Sequence, residues 1–206
     1  MVTASPSPYL RQLLIYTLFA LGLLLILRPS SSALAANFTV NLNSDTLDST
    51  PGDGLCADSL GHCTLRAAIQ EANALPGADT ITIPSDTYTL SLVGTAEDGG
   101  LTGDLDILDD LTLSGSGANL TLIQAGTTAG TGIDRIFQVH PGITAVLDNV
   151  TLRYGTTGNC WPHCAGAALF NEGNTTLHQV LITDNITDQS GGGHLQLPLR
   201  HPDNSK

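Results

Sequence analysis

Six carboxylates crowd the stretch from 97 to 110: Glu97, Asp98, Asp104, Asp106, Asp109 and Asp110. Gly99 and Gly100 follow Asp98 directly, so the stretch reads as a loop that can wrap a ligand. Carboxylate oxygens are hard donors, and hard donors on an adaptable loop are what Ca²⁺ takes. Asp98, Asp104, Asp106 and Asp109 are therefore the candidate Ca²⁺ ligands. Their spacing fits neither an EF-hand nor a glycine-rich Ca²⁺ repeat, and acids solvated in turns are the simpler alternative. Paired carboxylates can also hydrolyse glycosides, one as acid and the other as base or nucleophile. Asp104 and Asp106, at i and i+2, would share one strand face, with Asp109 and Asp110 at its end. A second cluster is Cys160-Trp161-Pro162-His163-Cys164. Trp161 could stack on a sugar ring as a ligand-binding residue, or it could cover a neighbouring strand. The four cysteines fall in two close pairs, Cys56 with Cys63 and Cys160 with Cys164. An even count in an exported chain reads first as disulfides, and local pairing is the expectation because each pair spans one loop. His62 and His163 sit beside these cysteines, but C-x6-C and C-x3-C do not suit a zinc site. No phosphate-binding loop, G-x-S-x-G, H-E-x-x-H or dinucleotide motif is present.

The elements that must hold these residues begin after a processing signal. Arg11 precedes an uncharged apolar run at 13–27, and Ala33-Leu34-Ala35 follows a Pro-Ser stretch. That order is a secretory signal peptide over residues 1–35, and the run is short for a bilayer span. Cleavage would leave a secreted or surface chain with no stable membrane span. It would also leave five basic residues against 19 acidic ones, a formal charge of −14 (5 − 19). Such a surface repels phosphate backbones, so nucleic acid is not an expected partner. Asn-x-Thr occurs at Asn37, Asn119, Asn149, Asn174 and Asn185, where turn asparagines precede strand threonines.

Residues 37–42 alternate apolar and polar and form a first strand. Residues 64–74 (TLRAAIQEANA) form the one helix outside the signal. Thr64 caps it, Leu65, Ile69 and Ala72 make its apolar face, and Leu75-Pro76-Gly77 stops it. Arg66, Gln70 and Asn73 point away from that face. A helix this short needs a surface to cover, and the first turn of a stacked structure offers one. Cys63-Thr64-Leu65-Arg66-Ala67-Ala68-Ile69, then Glu71-Ala72-Asn73, then Asp79-Thr80-Ile81-Thr82-Ile83-Pro84, resembles the CSLREA (CSLREXDO) module of bacterial secreted and surface proteins. The chain departs from it at Thr64, where the module has Ser, and at Ala67, where it has Glu. The resemblance covers residues 37–193. It implies a right-handed parallel β-helix of pectin-lyase-like form behind the helix, and no fixed set of catalytic residues. Lyases of that fold combine Ca²⁺ with a base. Arg135 and Arg153 are the arginines available on the strands, and each is expected to pair with an acid such as Asp134 or Asp148.

An internal repeat points the same way. Shifting residues 134–157 by thirty sets Leu147 on Leu177, Val150 on Val180 and Leu152 on Ile182. Units with short apolar strands that cannot bury their own faces stack into a solenoid. Strands are expected at 80–83, 88–93, 105–113, 120–124, 136–139, 145–152, 168–170 and 176–182, giving four or five turns. The organisation is then a signal peptide (1–35), a capping region (36–78), β-helix turns (79–193) and an irregular tail (194–206). That tail lacks the repeat, so the coil is expected to be truncated at its C-terminal side. The function expected is an exported, non-catalytic β-helix that binds extracellular polysaccharide or a surface protein. A polysaccharide lyase or glycoside hydrolase is the alternative.

Overall fold

The computed structural model describes residues 34–95, 97–157 and 166–187, together with Tyr9, Gln12 and Tyr16. The chain divides into two units, Met1–Ser32 and Ala33–Lys206. Of the first unit, only the three isolated residues are described, each in helical conformation. No helix among the described residues is long and apolar enough to cross a membrane.

The second unit is a parallel β-helix. After β1 (Asn37–Thr39) and one helix, α1 (Leu65–Ala74), the first turn runs β2 (Asp79–Ile83), β3 (Asp86–Thr89) and β4 (Leu105–Ile107). The second runs β5 (Leu111–Gly115), β6 (Thr121–Gln124) and β7 (Phe137–Val139). The third runs β8 (Thr144–Asp148), β9 (Thr151–Arg153), β10 (Thr156–Thr157) and β11 (Leu169–Asn171). A fourth begins with β12 (Asn174–His178), β13 (Leu181–Thr183) and β14 (Ile186–Thr187). The main sheets stack as β1-β2-β5-β8-β12, β3-β6-β9-β13 and β4-β7-β11, with every pairing parallel. Three complete turns and the opening of a fourth are thus described, against the four or five expected over a longer span.

The core follows from the strand period. Alternate residues point inward, and register carries each inward residue onto the one below. Ile81, Leu113, Leu147 and Leu177 form one column. Tyr88, Ile123, Leu152 and Ile182 form a second. Leu105, Phe137 and Leu169 form a third. The pairs Leu147–Leu177 and Leu152–Ile182 are those that the thirty-residue shift sets together.

The corners correct several strand assignments. The strand expected at 145–152 is two strands, β8 and β9, split at Asn149 with φ 57°. The one expected at 176–182 is likewise β12 and β13, split at Gln179 with φ 50°. Tyr154 and Asp184 turn the next corner, with φ 63° and 54°. At the Asn149 and Gln179 corners the left-handed residue sets the inward side chains three apart instead of two, Leu147 to Val150 and Leu177 to Val180, and the only trace in the sequence is a doubled polar step. The strand expected at 105–113 splits into β4 and β5 at a corner where Asn73 Oδ1 accepts from Leu108 N. The strand expected at 88–93 ends early, at Thr89, because the Ser91 and Leu92 amides donate to Asp45 Oδ2.

Helix α1 forms as expected. Thr64 Oγ1 accepts from Ala67 N at 3.2 Å, and the chain leaves helical angles at Leu75. It packs on β2 and β4 at the N-terminal end of the coil. Its polar face is not solvated, however: residues from Leu65 to Ala72 are all buried. Loops on both sides close over it, and each polar side chain ends on them. Arg66 grips Asp45 through Nε at 2.6 Å and Nη2 at 3.2 Å. Its remaining N–H groups donate to the carbonyls of Gly100, Gly103 and Asp104. Gln70 accepts from Asp48 N and donates to Gly100 O. Glu71 accepts from Gly52 N and Gly54 N, and Asn73 donates to Asp106 O. A buried charge is tolerable only when paired and fully hydrogen-bonded, and Arg66 meets that condition.

Candidate functional site

Leu105 and Ile107 point into the coil, so Asp104 and Asp106 point out of it, on the face shared by β4, β7 and β11. Both are nonetheless buried, with 5% and 0% of their surface exposed, on the side of the coil that Arg66 ties to the Gly100 loop. That loop reaches directly onto the site: Gly100 N donates to Asp106 Oδ2 at 2.8 Å. The other oxygen, Oδ1, lies 3.0 Å from His140 Nε2. Asp104 Oδ2 lies 3.4 Å from Arg135 Nε, and Asp134 Oδ1 lies 3.9 Å from the same atom. Burial pushes the Asp104 carboxyl up to about 8, with Asp106 and Asp134 adding repulsion and Arg135 opposing them. Burial also raises Asp106, against the hydrogen bond from His140, and raises Asp134, against the bond from the Arg135 amide.

The outward face continues across the turns. Register places Asp106, Gln138 and Phe170 in one line. The Arg135 guanidinium lies over the Phe170 ring, 4.9 Å from its centre, and its Nη1 donates to Gln138 Oε1. Gln138 Nε2 in turn donates to Glu172 Oε2 at 3.4 Å.

Of the four candidate Ca²⁺ ligands, the structure brings together Asp98 and Asp106 and adds His140. These three offer ligand atoms within 4.8 Å of one another. Asp104 is instead engaged with Arg135, and Asp109 stands at the corner after β4, accepting from Gly77 N and Asp110 N. The expected all-oxygen set is therefore replaced by two carboxylates and an imidazole, donors that suit Zn²⁺ or Mn²⁺ better than Ca²⁺. Ligands on one such ion lie at most about 4.2 Å apart, twice a metal–ligand distance of about 2.1 Å. The group would have to contract, and an ion would have to displace the Asp106–His140 contact. The resting arrangement is thus an acid–imidazole pair beside an exposed Asp98. His140 was missed in the sequence because it meets Asp106 only through the register of β4 on β7, across 34 residues.

Cys56 and Cys63 form the expected local disulfide, with Cα atoms 5.0 Å apart. Cys160, Cys164, Trp161 and His163 lie outside the described residues. Arg153 pairs with no acid among the described residues. Its Nε donates to Gln124 Oε1, and its guanidinium lies over the Tyr154 ring. It stands in register with Gln124, whereas Asp148 lies across a corner and pairs with His178. The fold places this chain among parallel β-solenoids. Compared with known proteins, it matches no family model, no curated protein and no solved structure.

Proposed function

We propose that the chain is an exported, non-catalytic β-helix module that acts at a cell surface as an adhesive or carbohydrate-binding protein. The observation that carries this reading is the outward pair Gln138 and Phe170 on successive turns, both half-buried, with Glu172 exposed beside them and the buried Arg135 guanidinium over the ring. Planar polar groups next to an aromatic ring, one per turn, suit an extended ligand that runs along the coil. The acids that would have to work in catalysis are less suitably placed. Asp104 is buried against Arg135, and Asp106 is held by an amide and an imidazole. The apolar run at 13–27, the Cys56–Cys63 disulfide and the resemblance of residues 63–73 to the CSLREA module support export. The alternative, a lyase or hydrolase of pectin-lyase-like fold, draws on the Asp98, Asp106 and His140 group.

The test is to incubate the secreted protein with immobilised pectate, alginate and other extracellular polysaccharides. Binding that weakens about tenfold in Phe170→Ala, without release of unsaturated or reducing products, is the expected outcome; tenfold is about 1.4 kcal/mol, the scale of one aromatic contact. Turnover that disappears in Asp104→Ala or His140→Ala overturns the non-catalytic reading.

A further inference from the structure

The carboxylate that opens β2 is only half used. Asp79 is 1% exposed, and its Oδ1 accepts from the backbone N–H of Ala36 at 2.7 Å. Its Oδ2 is buried with no hydrogen-bond partner among the described residues. Burial raises the Asp79 carboxyl, and the charge of Asp109 raises it further, while the single bond from Ala36 opposes both. Ala36 is held from its other side too, since its carbonyl accepts from Thr80 N at 3.0 Å and Asn37 then pairs with Thr80. A carboxylate can accept about four hydrogen bonds, and a peptide N–H supplies one.

The same position is a processing boundary in the sequence. Ala33 and Ala35 are the small residues that precede such a cut, and Ala36 follows it. Exposure changes at that bond as well: Leu34 is 84% exposed and Ala35 is exposed, whereas Ala36 is half-buried and packs on the core.

We propose that Asp79 is the built receptor for the α-ammonium group created when the Ala35–Ala36 bond is hydrolysed, so that maturation fastens the first strand to the coil. The proposal rests on the export reading above. Water supplies the hydroxyl to the Ala35 carbonyl carbon, the C–N bond breaks, and Ala35 leaves as a carboxylate. The Ala36 nitrogen takes up protons and becomes an ammonium group. The peptidase of the export route catalyses the step. Where one N–H stood, three donors and a full positive charge now face Asp79, and one of them can reach Oδ2. A charge-assisted bond to a carboxylate is about twice as strong as a neutral one. The nearby Asp109 carboxylate favours the same cation.

The full chain is expressed in a secreting host, and the N-terminus of the product is read by intact mass and sequencing. A start at Ala36 is expected. A start at Asn37 or at any other residue beyond the apolar run overturns the proposal and leaves export standing, whereas a retained Met1 overturns both. The secreted protein is then treated with an N-hydroxysuccinimide ester near neutral pH, and acylation of the Ala36 amine is followed by peptide mass. The amine is expected to react at least about tenfold more slowly than in Asp79→Asn, the effect of one unit of amine pKa. Equal rates overturn the proposal. If Asp79→Asn does not accumulate, the ratio is read on wild-type protein, folded against urea-unfolded, and a ratio near one overturns it.

Discussion

Around α1, polar side chains end on the backbone of loops; from β8 to β14, one turn leans on the next through ladders and matched apolar columns. In the first region Arg66, Gln70 and Glu71 hold irregular chain at 45–54 and 100–104, and Asn73 holds β4 and the corner after it. In the second, Leu147 on Leu177 and Leu152 on Ile182 repeat at a fixed interval. Burial also differs, since residues from Leu65 to Ala72 are all buried, whereas in the second region it fades from β8, which has buried residues, to β12, which has none. The contrast has a simple cause. A loop has no periodic partner, so a named side chain must specify where it goes. A strand on a strand inherits its position from the ladder, and its side chains need only be apolar and of fitting size.

Breaking the first region is expected to cost most. Arg66→Met removes both bonds to Asp45 and leaves the Gly100, Gly103 and Asp104 carbonyls short of donors. Loss of one partner of a buried ion pair costs about 3–5 kcal/mol, to be read as a lower midpoint in urea. A loss under about 1 kcal/mol would show that the clamp is incidental. Next comes a paired test within the coil. Leu147→Ala, at a fully buried site, is expected to cost about 2–5 kcal/mol, and Leu177→Ala, at a partly buried one, about half as much or less. Equal losses would mean that the last turn is as well packed as the one before it.

The third test concerns pH and joins the two regions, because Asp104 lies between the clamp and the coil. Its carboxyl is raised to about 8 in the folded protein. The folded state therefore binds that proton more tightly than the unfolded chain, whose aspartates titrate near about 3.9. Stability from this group is complete below pH about 4 and is lost as pH rises towards about 8. Urea midpoints should fall over that window, and Asp104→Asn should flatten the fall. A residual slope of the same sign is expected from Asp106 and Asp134, which are raised as well.

The sequence carries α1 and the thirty-residue repeat plainly, because both are written in local signals: a capping Thr64 with a Pro-Gly stop, and apolar alternation that recurs. The corners are harder to see because each is written only as a doubled polar step, Asp148-Asn149 and His178-Gln179, too short to mark a loop. The first two turns are also less legible, since the excursions between β3 and β4 and between β6 and β7 blur their period. The site was legible only by half. Asp98 and Asp106 are neighbours in sequence and in space, but His140 joins them through strand register. For Arg66 the sequence says only that it lies off the apolar face of the helix, because nothing local announces that Asp45 will cover it.

The corners at 149 and 179, and at 154 and 184, have a consequence for how such a chain can change in length. A unit whose bends and ladders superpose on those of its predecessor is a copyable segment. An in-frame duplication of that stretch would add one more layer, about 4.8 Å of coil, without moving any contact before it. A gain or loss of one residue inside a strand would instead turn the side chains that follow it in that strand from inward to outward, up to the next corner. Genetic change in this region should therefore come in whole units, with coil length as the trait that varies.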